Sequence, residues 1–336
     1  MNFISDNQST VFPEIIEYLQ YVNKNPSDSY GKDFITKKAN KLLADLFESK
    51  INIRYVSTGT AANAISLSSI CPPYGGVLCS EHSHLNNDEC GAPEFFSGGA
   101  KLIPINSKNG LISTSNLTKT LKNYGLHGIH EIKLSTLSLT QASELGTVYK
   151  TEQIKELTQI AQKNSLNIHM DGARFANACE SLNISPSEIT WKNGVDILSL
   201  GATKNGAIAC EIIIIFNKKI TDDIDRRQKR AGHLWSKNRF MAAQVIKWIE
   251  NNNWLNAAKH SNKMAKSVKR ILSSIKEIHI PYSVDANIVF AEIPLNLQKY
   301  LLINNVKFSN WIGPNNLTRF VTSWDTNIKE INELET

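Results

Sequence analysis

The chemistry this chain can do gathers around one amine. In Asp196-Ile-Leu-Ser-Leu-Gly-Ala-Thr-Lys-Asn-Gly206 the apolar run Ile197 to Leu200 reads as a short buried strand, and Gly201 and Gly206 bracket a tight loop that holds Lys204. Another apolar run, Glu211 to Phe216, follows at once. An amine held between two core strands is poorly solvated. Desolvation disfavours its charged form, lowers its pKa and makes it a nucleophile. Upstream, Asn167-Ile-His-Met-Asp-Gly-Ala-Arg174 sets Asp171 and Arg174 at the end of a further short strand, ahead of a helix over Phe175–Leu182. A lysine bearing an electrophilic cofactor, with an aspartate and an arginine as ring partners, is what pyridoxal phosphate requires.

Each of these residues has a stated job in that chemistry. A carboxylate from Asp171 beside a pyridine nitrogen keeps it protonated, and each pKa unit of that shift is worth about 1.4 kcal/mol. Arg174 reaches either the ring hydroxyl or a substrate carboxylate; the alternative is an ordinary salt bridge at a helix start. Ser57-Thr-Gly-Thr-Ala-Ala-Asn63 closes a strand and opens a helix, so Ser57, Thr58, Gly59 and Thr60 form an anion cradle suited to a phosphate. Ser57 or Thr58 also serves as a helix cap. His82, His84, Asp88 and Cys90 match no zinc spacing, and no metal is expected; the flat ring of His84 suits stacking on an aromatic cofactor. Arg319 lies in a short strand among apolar neighbours, where an arginine usually has an anionic partner. The basic run Arg226–Arg230 reads as a solvated helix face.

The elements that must position these groups alternate. Strands are expected at Ile53–Val56, Val77–Cys79, Lys101–Ile105, Ile132–Leu139, Ile168–Met170 and Ile197–Leu200. Between them fall helices at Ala61–Ser69, from about Asp88, at 114–123 and at Glu152–Asn164. Such alternation implies crossover connections and an α/β fold with a mostly parallel sheet flanked by helices. Beyond about residue 219 helices dominate, and short strands at Ile288–Glu292 and Arg319–Thr322 mark a smaller α+β domain. The division expected is an N-terminal arm and helix over 1–20 that contributes to the site, a large cofactor-binding domain over 21–235 and a small domain over 236–336.

A chain of 336 residues with 41% hydrophobic and 20% charged residues has an ordinary globular composition. Its net charge of +6 is spread along the chain, which argues against nucleic acid as a partner. The five cysteines form no C-x-x-C pair, as expected of free thiols in a reducing compartment. No signal sequence or membrane-spanning run is evident, so a cytoplasmic protein without a membrane partner is expected.

Taken together, His169-Met-Asp-Gly-Ala-Arg-Phe-Ala-Asn-Ala178, Leu198-Ser-Leu-Gly-Ala-Thr-Lys-Asn-Gly206, Ser57-Thr-Gly-Thr-Ala-Ala-Asn63 and Gln141-Ala-Ser-Glu-Leu-Gly-Thr-Val-Tyr149 resemble the low-specificity L-threonine aldolase family. That family belongs to the pyridoxal-phosphate-dependent β-eliminating lyase and aldolase group, with the aspartate-aminotransferase fold (fold type I). The resemblance implies Lys204 as the Schiff-base lysine, Asp171 at the pyridine nitrogen, His84 stacked on the ring, and Gly59 and Thr60 at the phosphate. It also implies Ser5, Arg174 and Arg319 at the substrate carboxylate or ring oxygen, His130 near the substrate hydroxyl, and Lys229 near the phosphate of a neighbouring chain. A homotetramer built as a dimer of dimers, with sites at the dimer interface, follows from the same likeness.

The implied reaction is retro-aldol cleavage of a small β-hydroxy-α-amino acid, L-threonine or L-allo-threonine, to glycine and acetaldehyde. His130, His84 or a bound water would take the hydroxyl proton. The rivals are another pyridoxal phosphate reaction on this fold (phenylserine cleavage, β-elimination or transamination) and a non-catalytic protein that keeps the fold.

Overall fold

Apolar strands buried on both faces need cover on both sides, and the helices between them supply it. The structure, a computed structural model, describes residues 1–311 and 315–334, apart from the side chains of Thr221 and Asp222. Helices α1 (Pro13–Val22) and α2 (Phe34–Leu46) precede β1 (Asn52–Val56), α3 (Gly59–Ile70) and β2 (Gly75–Ser80). Then come α4 (His84–Asn87), α5 (Ala92–Ser97), β3 (Lys101–Ile105), α6 (Thr114–Lys122) and β4 (Lys133–Thr140). The large sheet is completed by α7 (Thr151–Lys163), β5 (Asn167–Gly172), α8 (Phe175–Leu182), β6 (Ile197–Gly201) and β7 (Glu211–Ile215).

The seven strands lie in the order β1-β7-β6-β5-β4-β2-β3. Pairs β2–β3, β2–β4, β4–β5 and β5–β6 are parallel, whereas β7 runs antiparallel to both β6 and β1. Every residue of β2, β6 and β7 is buried. The continuous apolar runs in the sequence reflect that double cover. The helix expected from about Asp88 begins only at Ala92, as α5, and the short α4 ends just ahead of Asp88. Cys90 and Gly91 take left-handed backbone, at φ 51° and 72°, which ends one segment, and Pro93 stands in the first turn of the next, where its missing N–H costs nothing.

Beyond the large sheet lie α9 (Thr221–Arg230), α10 (Arg239–Ile249) and α11 (Asn253–Ser273). A small antiparallel sheet of β8 (Ile288–Glu292), β9 (Ser309–Asn310) and β10 (Leu317–Val321) follows in the order β8-β10-β9, with α12 (Leu295–Ile303) and α13 (Ile328–Glu333) beside it. The expected division between 235 and 236 falls ahead of α10. Yet Met241, Val245, Ile246 and Trp248 of α10, and Trp254 and Ala258 of α11, pack in the large core. From Met264 onward α11 turns Val268, Ile271 and Leu272 into a second core with Val289 and Phe320. The two cores therefore part inside α11, along one unbroken helix. Glu335 and Thr336, the end of the expected small domain, lie outside the described residues. No helix among the described residues is long and apolar enough to cross a membrane.

The first dozen residues belong to neither core alone. Phe3 is buried in the small core and Phe12 in the large one. The Phe3 N–H donates to the Lys307 carbonyl at 2.8 Å, and the Phe3 carbonyl accepts from the Val321 N–H at 2.8 Å. Asp325 accepts from both the N–H and the hydroxyl of Thr10, each at 2.8 Å. This arm crosses from the small sheet to the loop around Lys204, where the Phe12 N–H donates to the Gly206 carbonyl at 2.9 Å.

Gly206 sits at φ +99°, and a Cβ built there would stand 2.2 Å from Cε1 of Phe12. Gly206→Ala is expected to displace the Phe12 ring and cost roughly 1–3 kcal/mol. A lower urea midpoint at unchanged m-value would register that loss.

Candidate active site

Parallel strands deliver the residues at their carboxyl ends to one edge of the sheet. There Thr140 of β4 lies in register with Asp171 of β5, and Asp171 with Ser199 of β6. The chain leaves β6 through a single 3₁₀ turn, Thr203–Asn205, that carries Lys204. Asn205 fixes this turn from behind: its amide donates to the Trp254 carbonyl at 2.9 Å, and its carbonyl accepts from the Trp248 indole at 3.1 Å. Lys204 lines a cleft of about 260 Å³ with Ser57, Gly59, His84 and Ala173. The cleft continues past Asn63, Glu144 and Asp171.

Burial is the largest influence on the Lys204 amine and lowers its pKa, and the charge of Arg174 lowers it further. Asp6, Asp171 and Glu211 pull the other way. Burial pushes Glu211 up to about 7, and its carboxyl accepts from the Thr203 N–H at 3.3 Å. Asp171 is buried and held at both oxygens, by the Ala173 N–H at 3.0 Å and by the Asn63 amide at 2.9 Å.

The phosphate cradle expected over Ser57–Thr60 lies between β1 and α3, on the rim of the same cleft. Thr58 caps α3 by accepting from the Ala61 N–H at 3.1 Å. A Cβ at Gly59 would meet nothing within 4 Å, so open space stands at the helix start. Ser57 is also 3.2 Å from Nδ1 of His233, a contact that nothing near residue 57 in the sequence announces.

His84 opens α4. Its N–H donates to Glu144 at 2.8 Å, and its Nδ1 lies 2.9 Å from Glu89. The hydrogen bond to Glu89 raises the imidazole pKa against the effect of burial, and Asp171 adds to the rise. Glu144 lies inside a motif quoted above and Glu89 between Asp88 and Cys90, but neither was singled out. Burial raises Glu89 and brings Glu144 to about 7. Oδ1 of Asn63 and Oε2 of Glu144 are buried without a hydrogen-bond partner. The residues present fit a flat ring with an anionic tail: an open helix start, a carboxylate, an imidazole, an amine and polar atoms still lacking partners.

Arg174 is committed differently from the expectation. Its Nε and Nη2 donate to Oδ2 and Oδ1 of Asp6 at 2.7 and 2.9 Å, and Asn287 donates to the same carboxylate at 3.0 Å. Burial would raise Asp6, but Arg174 and Lys204 hold it below the ordinary carboxylate value. Ser5, expected at the substrate, uses its hydroxyl to accept from the Asn7 N–H at 3.1 Å and so caps the turn that presents Asp6. Arg319 stacks its guanidinium 4.5 Å from the Trp311 ring centroid, and its Nε is buried without a partner. Burial first, and Arg174 second, lower its pKa to about 10.

Two expected residues stand apart. His130 is exposed in the turn Gly128–His130 that leads into β4, whereas Thr140 at the other end of that strand lines the cleft. The loop does not fold back, so within one chain His130 does not join Lys204. Lys229 is exposed on α9, with its amine 5.7 Å from the Tyr30 ring centroid.

Residues 2–295 match the family model described as "Beta-eliminating lyase". A low specificity L-threonine aldolase from Pseudomonas sp. is 38% identical over 333 residues, which covers 99% of this chain and 95% of the relative. The solved threonine aldolase of Leishmania major superposes with a TM-score of 0.92 at 24% identity, covering 99% of this chain and 97% of that one. Cystalysin from Treponema denticola, whose crystal structure contains pyridoxal 5'-phosphate, superposes with a TM-score of 0.72 at 15% identity, covering 100% and 89% of the two chains. At these identities the two structures show the fold, which is the fold expected from the sequence.

The buried Asp6–Arg174 pair generates a prediction. Asp6→Asn leaves a largely enclosed guanidinium without its counter-charge and is expected to cost about 3–5 kcal/mol near neutral pH. Because the folded pKa of Asp6 is depressed, its contribution is fully present above the unfolded pKa and is lost as pH falls through the folded one. Urea midpoints of wild type and variant should therefore differ most near neutrality and converge below about pH 4.

Proposed function

This chain belongs to the beta-eliminating lyase family, and we propose that it is a pyridoxal-phosphate-dependent aldolase that cleaves L-threonine or L-allo-threonine to glycine and acetaldehyde. The observation that carries the proposal is the enclosed amine of Lys204 beside the strand-end carboxylate of Asp171, in a chain 38% identical throughout to a relative named for that activity.

When bound, the cofactor supplies an electrophilic carbonyl and a ring that accepts an electron pair from the substrate Cα. Lys204 would hold it covalently, Ser57, Thr58, Gly59 and Thr60 would hold its phosphate, and Asp171 would hold its ring nitrogen. Lowering the Lys204 pKa keeps more of the amine in its nucleophilic form. Arg319 offers the substrate carboxylate a guanidinium that is still short of a partner, since Asp6 occupies Arg174. A carboxylate fixed there sets which Cα bond lies across the ring, and alignment of the Cα–Cβ bond is what selects cleavage over other outcomes. His84 stands in the cleft and would receive the hydroxyl proton.

The proposal includes a cytoplasmic homotetramer with sites at a dimer interface, where Lys229 of a neighbouring chain would approach the phosphate. The exposure of Lys229 on α9 supports an interface there; the absence of any disulfide among the five cysteines suits a reducing compartment.

Loading the protein with pyridoxal phosphate and supplying L-threonine or L-allo-threonine should release acetaldehyde and glycine in equal amounts. Formation of the keto acid without acetaldehyde would overturn the proposal. Borohydride reduction should fix the cofactor to the peptide containing Lys204. Arg319→Gln removes a charge-assisted contact of roughly 1.5–3 kcal/mol. Its KM for amino acid should rise about 10- to 150-fold while the visible spectrum of the bound cofactor stays put.

A further inference from the structure

Glu89 has no part in the expected chemistry, yet it is 3% exposed and lies against two groups of the cleft. Its Oε1 accepts from the Asn63 amide at 2.8 Å and stands 2.9 Å from Nδ1 of His84. The same Asn63 nitrogen donates its other hydrogen to Asp171 at 2.9 Å. Turning the Asn63 amide over would set its oxygen against two carboxylates, so chemistry fixes its orientation. The imidazole is therefore held at Nδ1 by a buried carboxylate, and at its backbone by Glu144. Its side chain remains 39% exposed, on the wall of the cleft beside Lys204.

We propose that Glu89 is a positioning residue that orients His84 with Nε2 toward the substrate and, through Asn63, locks the imidazole in register with Asp171. The inference rests on the aldolase reading for its substrate, not for its geometry. In the step it serves, the β-hydroxyl gives its proton to Nε2 of His84. The oxygen–hydrogen electron pair becomes the new carbonyl π bond of acetaldehyde, and the Cα–Cβ pair passes to the Cα side. Glu89 stabilises the imidazolium that forms, while the Nδ1–H tautomer leaves the Nε2 lone pair free for the proton. Four charged groups face this imidazole. Glu89 and Asp171 raise its pKa and Lys204 lowers it, while Glu144 binds the adjoining backbone N–H.

Nitrogen-15 spectra of the wild-type chain without cofactor test the geometry directly. The neutral His84 ring should carry its proton on Nδ1 and titrate above the ordinary histidine value of about 6.5. In Glu89→Gln, a near-isosteric change, that midpoint should fall by about one unit. The acid limb of kcat should move down with it, because a weaker base is deprotonated at lower pH. The kcat for threonine should fall about 10- to 100-fold, with KM changed less than about threefold. Cofactor absorbance should stay unchanged at neutral pH. An Nε2–H tautomer in the wild type would overturn the proposal, and so would a Glu89→Gln profile whose acid limb does not move. The spectra need no substrate, so an unexpected tautomer refutes the role of Glu89, whereas a wild-type chain that releases no acetaldehyde refutes the aldolase reading.

Discussion

The cleft depends on the ion pair between Asp6 and Arg174. Three cationic groups gather here, and the charge of Arg174 disfavours the charged forms of both Lys204 and Arg319. Without a counter-charge that gathering would be prohibitive in a partly buried place. Asp6 supplies the charge from a turn that is itself capped by Ser5 and held from the small domain by Asn287. The consequence is a division of labour between two arginines. One is spent on structure, with both oxygens of a carboxylate filling its fork, and the other retains an unpartnered donor for a ligand.

A similar logic governs the opposite wall. Glu89, Asp171 and Glu144 crowd acidic side chains around one histidine and one asparagine, and burial favours the neutral forms of Glu89 and Glu144. Lys204 lies between this acidic wall and the arginines. Its amine is neither paired off by a single carboxylate nor left in water. That balance keeps it available, whereas a direct salt bridge would have fixed it in the charged form.

Much of this was legible because it is local. Strand, turn and helix succeed one another within a few residues at Ser57–Asn63, Asp171–Arg174 and Gly201–Gly206, and each carries its chemistry beside its own structural signal. What was not legible is what sequence distance hides. Asp6 and Arg174 are separated by 168 positions, and no periodicity links them. His130 was assigned by likeness alone, and its position at the start of β4 places it at the wrong end of a strand whose far end does reach the cleft. The later start of α5 escaped notice because Cys90, a residue with no preference for left-handed backbone, adopts that conformation just ahead of it. The domain boundary was misjudged for a physical reason too. A single long helix can serve two cores, and a change of element type does not mark where packing changes partners.

The arm that carries Asp6 has a consequence for the order of events during synthesis. Its anchors lie at Lys307, Val321 and Asp325, and the contact from Thr10 to Asp325 closes a loop of 315 positions. A growing chain folds from its amino end as it emerges. The strands that bring Asp171 and Lys204 together are complete long before the residues that seat the arm exist. Until β10 and the segment after it are made, Asp6 has no small sheet to lean on and Arg174 has no settled partner. The turn that carries Lys204 is thus assembled early and its electrostatic setting late, so the surroundings of that amine are complete only as the last strand takes its place.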